Sequence, residues 1–155
     1  MNINVKVIEE DMCPIGLASH LLVDKWVPVI LRDISLFDRR TFNQILSKNR
    51  ENISASVLSS RLNRMVELEL LTVDTSPNHS QMKIYTLAEP GIEFIPLLFQ
   101  LADWTIKHRG PSKEISMMLT PYVGSADSMS EFITKLRKIH IEKTEHFTEL
   151  WWLKT

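Results

Sequence analysis

A chain of 155 residues, 44% apolar and with a formal net charge of -1, is long enough for one domain with a real core, short for two, and not uniformly basic as a nucleic-acid coat would be. No apolar run reaches membrane-spanning length, and the start, MNINVKVIEEDM, is acidic where a secretion signal would be basic and then apolar, so a cytoplasmic protein is expected. One cysteine, Cys13, excludes an internal disulfide and a multi-cysteine zinc site; the scattered histidines have no ligand spacing, and no phosphate loop, dinucleotide fingerprint or nucleophile elbow is present.

In chain order, Pro14 suits a first helical position, and Ile15, Ala18, Leu21 and Leu22 continue at helical spacing, which predicts a first helix over about 14–23. Trp26, Val29, Ile30 and Ile34 share the next face, and Pro28 is tolerable only in a first turn, so a second helix starts near Lys25. Thr41 and Gln44 have capping-box spacing ahead of a short helix over about 42–48. Ser54 is a good N-cap for a fourth helix running to about Leu68. Two β-prone runs, Leu70–Thr75 and Met82–Leu87, flank the turn formers of SPNHS and predict a hairpin. A helix follows from Pro90, with a kink expected at Pro96, and then a loop with one short helix to Ser128. Met129, Ile133, Leu136, His140, Lys143, Phe147 and Trp151 form one stripe, which predicts a long amphipathic helix over about 129–152. The expectation is a single domain over 1–155, with a winged helix-turn-helix core at about 14–107 and a helical extension at about 108–155. It is mainly α with a small β-hairpin wing and a long C-terminal dimerisation helix.

The fourth helix carries the functional signal. Leu58, Leu62 and Met65 face one way, while Ser56, Ser60, Asn63 and Arg64 face the other. Serine and asparagine are poor helix formers, so a solvated face would more often hold Glu and Lys. From Arg39 to Arg64 the charges are Arg39, Arg40, Lys48, Arg50, Arg61 and Arg64 against Glu51 alone. Short polar side chains flanked by cations suit a helix entering the major groove. Candidate DNA contacts are Arg39, Arg40, Thr41, Ser54, Ser56, Ser59, Ser60, Asn63, Arg64 and, on the hairpin, Lys83. Arg61 lies nearer the core, so a structural ion pair, for instance with Asp33, and a phosphate contact are both open.

Several strings together resemble HxlR-type winged helix-turn-helix transcriptional regulators over about residues 13–105: CPI at Cys13, KW at Lys25, ILRDI at Ile30, FNQIL at Phe42, VLSSRL at Val57, YTL at Tyr85 and PLLFQLADW at Pro96. The resemblance implies a dimeric DNA-binding regulator, with a cysteine that in some members senses quinones, aldehydes or oxidants. Against the family pattern, Asp24 and Glu69 stand for glycines, Ala88 stands for a threonine or serine cap, and Thr41 stands for an arginine whose phosphate contact would pass to Arg39 or Arg40.

Cys13 is thus a candidate redox sensor; the other reading is a small buried hydrophobe at a dimer interface. Glu9, Glu10 and Asp11 lie beside it in sequence. Trp104, Phe94 and Phe99 read as core in preference to a ligand cage, and no cofactor is expected. For the dimer interface the candidates are Leu21, Trp104, Met129, Ile133, Leu136, Phe147 and Trp151; intrachain packing of the last helix onto Ile95–Ile106 is the alternative. The expected partners are a second copy and a pseudo-palindromic double-stranded operator. A winged-helix protein-interaction module without DNA binding is the competing function.

Overall fold

The computed structural model describes residues 12–154, so Glu9, Glu10 and Asp11 lie outside the described residues. The order is α1 (Pro14–Leu21), α2 (Trp26–Phe37), α3 (Phe42–Lys48), α4 (Ala55–Glu67), β1 (Leu71–Ser76), β2 (His79–Leu87), α5 (Glu89–His108), α6 (Lys113–Leu119), a 3-10 turn (Thr120–Tyr122) and α7 (Ala126–His140). Helix α2 is the central post, burying Val27, Ile30, Leu31 and Ile34 against the elements around it. Helices α3 and α4 form the helix-turn-helix and the strands form an antiparallel hairpin.

Each boundary has a local cause. Thr41 Oγ1 accepts from Gln44 N (3.3 Å) while Gln44 Oε1 accepts from Thr41 N (3.1 Å), closing the start of α3 reciprocally. Ser54 Oγ accepts from Val57 N (3.3 Å) to open α4, which turns Leu58, Leu62 and Met65 fully inward. Helix α4 ends at a left-handed Glu69 (φ 58°), the position where the resembled family places glycine. The second strand begins at His79, earlier than Met82, because Ser76 pairs with His79 after a register shift and Ser76 Oγ accepts from Asn78 N (3.3 Å). Tyr85 N donates to Arg40 O (2.8 Å), fastening the hairpin to the segment before α3. Helix α5 runs on through Pro96. Its first turn lies so close to the hairpin base that a Cβ on Gly91 would stand 2.1 Å from Leu70 O.

The C-terminal expectation needs correction. Helix α7 stops at His140, and Lys143 and Leu150 then adopt left-handed backbone (φ 55° each) as the chain reverses. The apolar spacing continues past His140, but the return is fixed by other bonds: Glu145 pairs with Lys135 and Lys138, and Trp152 Nε1 donates to Leu36 O (2.9 Å). Tyr122 Oη donates to Trp152 O as well. Trp152, which lies outside the expected stripe, is 3% exposed. His140, a polar member of the expected stripe, is 2% exposed and accepts from Leu87 N through Nδ1 (3.3 Å).

Nor is α7 a free dimerisation helix. Leu136 is fully buried and Ile133 nearly so, inside the same core as α2 and α5. Phe132 centres an aromatic cluster with Phe99 (5.4 Å), Tyr122 (5.3 Å) and Trp151 (4.8 Å). No single described helix is long and apolar enough to cross a membrane, although α1 and α2 together, bent by 76°, have the length and composition of a broken span. The apolar side of α2 is the centre of the core.

Candidate nucleic-acid interface

The exposed face of α4 is built as its sequence requires. With Leu58, Leu62 and Met65 inward, Ser56, Ser59, Ser60 and Asn63 are all exposed, and Arg64 is half-buried. Ser54 is exposed too, its hydroxyl spent as the α4 cap. Arg64 has only a long contact to Glu67 (3.7 Å), so its guanidinium keeps most of its donors. The helix therefore presents short hydrogen-bonding groups with one reaching cation, unobstructed by bulky side chains.

The cations around it divide into two sets, which the sequence count could not separate. Arg39 donates through Nη1 to Asp33 Oδ1 (3.2 Å) and Lys48 O (3.1 Å), and its guanidinium lies 4.6 Å from the Phe37 ring centre. Arg40 donates from Nε to Tyr85 O (3.0 Å) and from Nη2 to Thr86 Oγ1, holding the hairpin. Arg39 and Arg40, expected as phosphate contacts, thus each spend part of the guanidinium on bonds within the chain. Arg61 pairs with Asp24, not Asp33. Asp24 Oδ1 also accepts from Trp26 N (2.6 Å) and Val27 N (3.2 Å), so this departure from the family glycine both caps α2 and ties it to α4. Among the described residues, Lys48, Arg50 and Lys83 are exposed and form no ion pair. Lys48 and Arg50, at the helix-turn-helix turn, were counted in the basic cluster but not named as contacts; exposure and lack of a partner single them out. Thr41 is half-buried, and its hydroxyl accepts in the capping box while its proton stays available to donate.

Beneath this surface lies a buried polar knot. Asp33 is fully buried, with Oδ1 accepting from Arg32 Nη2 (2.8 Å), Arg32 Nε (3.1 Å) and Arg39 Nη1 (3.2 Å). Asp33 Oδ2 accepts from Asn49 Nδ2 (3.3 Å), and Asn49 Oδ1 accepts from Ile53 N (3.2 Å). Arg32 reaches on to both oxygens of Glu51 (2.6 and 2.9 Å), and this hydrogen bonding holds the Glu51 carboxyl below the usual carboxylate range. The knot sets the turn between α3 and α4 relative to α2.

The remaining sequence candidates are dispersed. Cys13 is exposed and its Sγ accepts from Gly16 N (3.2 Å) as the N-cap of α1. Trp104, read as core, is more than half exposed, on one face of α5 with Leu97 and Leu101. Phe99 is core and Phe94 half-buried. Leu21, Met129, Phe147 and Trp151 are half-buried.

The fold recurs in solved structures. PA1607, described as a candidate transcription factor, superposes at a TM-score of 0.58 with 21% identity over 69% of this chain and 72% of that one. A SlyA-like transcription regulator from Listeria monocytogenes superposes at 0.52 with 14% identity over 96% of this chain and 97% of that one. At such identities the likeness is one of fold, the winged helix. No curated protein shows significant sequence similarity to the chain. A family model described as HxlR-like helix-turn-helix matches residues 21–113, three-fifths of the length and the whole of α2 through α5. The chain therefore belongs to the HxlR-like helix-turn-helix family, a family of transcription regulators and not of enzymes.

Proposed function

We propose that the chain, folded as one domain, is a cytoplasmic, sequence-specific transcriptional regulator that binds DNA as a homodimer. Helix α4 enters the major groove and the hairpin lies near the backbone. The observation that carries this reading is the exposed run of Ser56, Ser59, Ser60 and Asn63 beside Arg64, with Lys48, Arg50 and Lys83 unpaired around it. One protomer offers one reading helix; a two-fold dimer offers two, about 34 Å apart on a pseudo-palindromic site. The dimer surface we assign to Leu21 and to the open apolar face of α5, Leu97, Leu101 and Trp104, since Ile133 and Leu136 are consumed by the core. A protein-interaction module without DNA binding is the second reading, favoured by the internal commitment of Arg39, Arg40 and Arg61.

One set of measurements tests this. Selection from a random DNA pool should enrich a two-fold symmetric site, and affinity for it should fall steeply with salt as phosphate contacts release counterions. Ser60→Ala with Arg64→Ala should weaken that binding at least about tenfold with helicity unchanged. In light scattering, Leu101→Glu with Trp104→Glu should give a folded monomer. Salt-independent or unaltered binding removes α4 as the reader, and a variant that stays dimeric removes the assigned surface.

Cys13 we hold as the redox-sensing group, on its exposure and its position at the start of α1. Peroxide or a quinone should alter DNA affinity in the native protein and leave Cys13→Ser unaffected. A response that survives the substitution makes the residue structural.

A further inference from the structure

Helices α2, α5 and α6 line an open cavity of about 590 Å³ that borders the assigned dimer surface at Leu101 and reaches inward from there to Arg32 and Glu51. That volume lies in the range of small-molecule sites. Its walls are apolar, formed by Val29, Leu98, Ile106 and Ile115, and its charged side chains, Arg32 and Glu51, belong to one ion pair.

The chemistry of that pair selects the ligand. Arg32 has five N–H donors: one on Nε, bonded to Asp33, two on Nη2, bonded to Asp33 and Glu51, and two on Nη1, of which one is bonded to Glu51. One Nη1 N–H is left over, and the Glu51 carboxylate, about one-third exposed, keeps spare lone pairs. Arg32 and Arg39 balance Asp33 and Glu51, so the cluster has no excess charge to offer an ion. A carboxylate entering here would meet two carboxylates already in place, and an ammonium would meet the guanidinium; each would lose its water without a free counter-charge. A hydroxyl meets both needs at once, donating to Glu51 and accepting from Arg32.

We propose that this cavity binds a neutral, largely apolar molecule carrying a hydroxyl, of the size of an alkylphenol, with the hydroxyl seated on the Arg32–Glu51 pair. Glu51 stands in the turn between α3 and α4, so an occupant that draws on either partner loosens the tie holding the reading helix to α2. The cavity is then an effector site as well as a binding site. This second step rests on the DNA-binding reading above; the binding step does not.

Titration of the full chain with 4-propylphenol, followed by calorimetry and thermal unfolding, should show saturable binding and a raised melting temperature. 4-Propylbenzoate and 4-propylbenzylamine should bind at least about tenfold more weakly, the equivalent of a lost hydrogen bond to a charged group. Ala102→Phe fills the cavity and should abolish phenol binding with unfolding still cooperative; Ile115→Phe, at a more exposed wall position, serves the same purpose should the first variant not fold. Glu51→Gln should remove the preference for the phenol over the benzoate. Absence of phenol binding, equal binding of the benzoate, or phenol binding unaltered in the filled variant overturns the site, as does a cavity that takes no probe because a second copy covers it. With the selected DNA, the phenol should lower affinity. Phenol binding with DNA affinity unchanged overturns the effector role alone, whereas failure of the protein to bind any DNA overturns the function proposed above and leaves the calorimetric result to decide the site.

Discussion

Asp33→Ala is expected to lower the stability of the fold by about 3–5 kcal/mol, the usual consequence of removing one partner of a buried ion pair. The geometry puts it at the upper end of that range. Asp33 is fully buried and receives bonds from Arg32, Arg39 and Asn49, so alanine would leave the half-buried Arg39 without its carboxylate and Asn49 Nδ2 without its acceptor. Arg32 would keep Glu51 and suffer less. Loss of Asn49's anchor would in turn loosen its hold on Ile53 N, the residue before the Ser54 cap of α4. Urea unfolding measures the first effect. A second should appear in DNA affinity under conditions where the variant is still folded, because the knot positions the reading helix as well as stabilising it. Asp33→Asn, which keeps an acceptor and loses the charge, should fall between native and alanine. Alanine within about 1 kcal/mol of native would mean that the two arginines find water instead and that the knot contributes little.

How legible all this was depends on the distance over which each feature is determined. The caps of α3 and α4 are local, three residues apart in sequence, and Thr41 with Gln44 and Ser54 with Val57 bond as their spacing requires. The stripe of Leu58, Leu62 and Met65 is buried because periodicity states which face of a helix is apolar. It does not state what covers that face. The stripe beyond Ser128 was apolar in the right rhythm, yet its Ile133 and Leu136 are buried in the chain's own core, and its rhythm outlasted the helix. Charge counting is blind to partners for the same reason: Arg39, Arg40 and Arg61 are set apart from Lys48 and Arg50 mainly by Asp33, Tyr85, Thr86 and Asp24, each at least six residues away in sequence. Gly91 carries no local signal either, since the demand on it comes from Leu70 O across the fold.

Lowering the pH should destabilise the native protein through His140, over a window set by that residue. Burial first, and the charge of Arg40 second, push the imidazole down from 6.5 to about 3. Two structural facts give the cause. Nδ1 accepts from Leu87 N (3.3 Å), so it must be unprotonated, and Nε2 is buried with no hydrogen-bond partner to stabilise a cation. A proton on the ring would replace an acceptor with a donor facing another donor at the end of β2. The folded value lies below the unfolded one, so the unfolded chain binds the extra proton. The contribution is therefore complete above about pH 6.5 and is lost as the pH falls toward about 3, with a slope approaching 1.4 kcal/mol for each pH unit inside the window. Carboxylates titrate over part of the same range, so the quantity to measure is a difference: urea midpoints of the native protein and of His140→Gln, which keeps an acceptor for Leu87 N, at pH 7 and pH 4.5. The native protein should lose more stability between the two than the variant does, and the hairpin should loosen with it, because His140 is the bond that joins β2 to α7. Parallel loss in both proteins would show that the ring is solvated and titrates as it does in the unfolded chain.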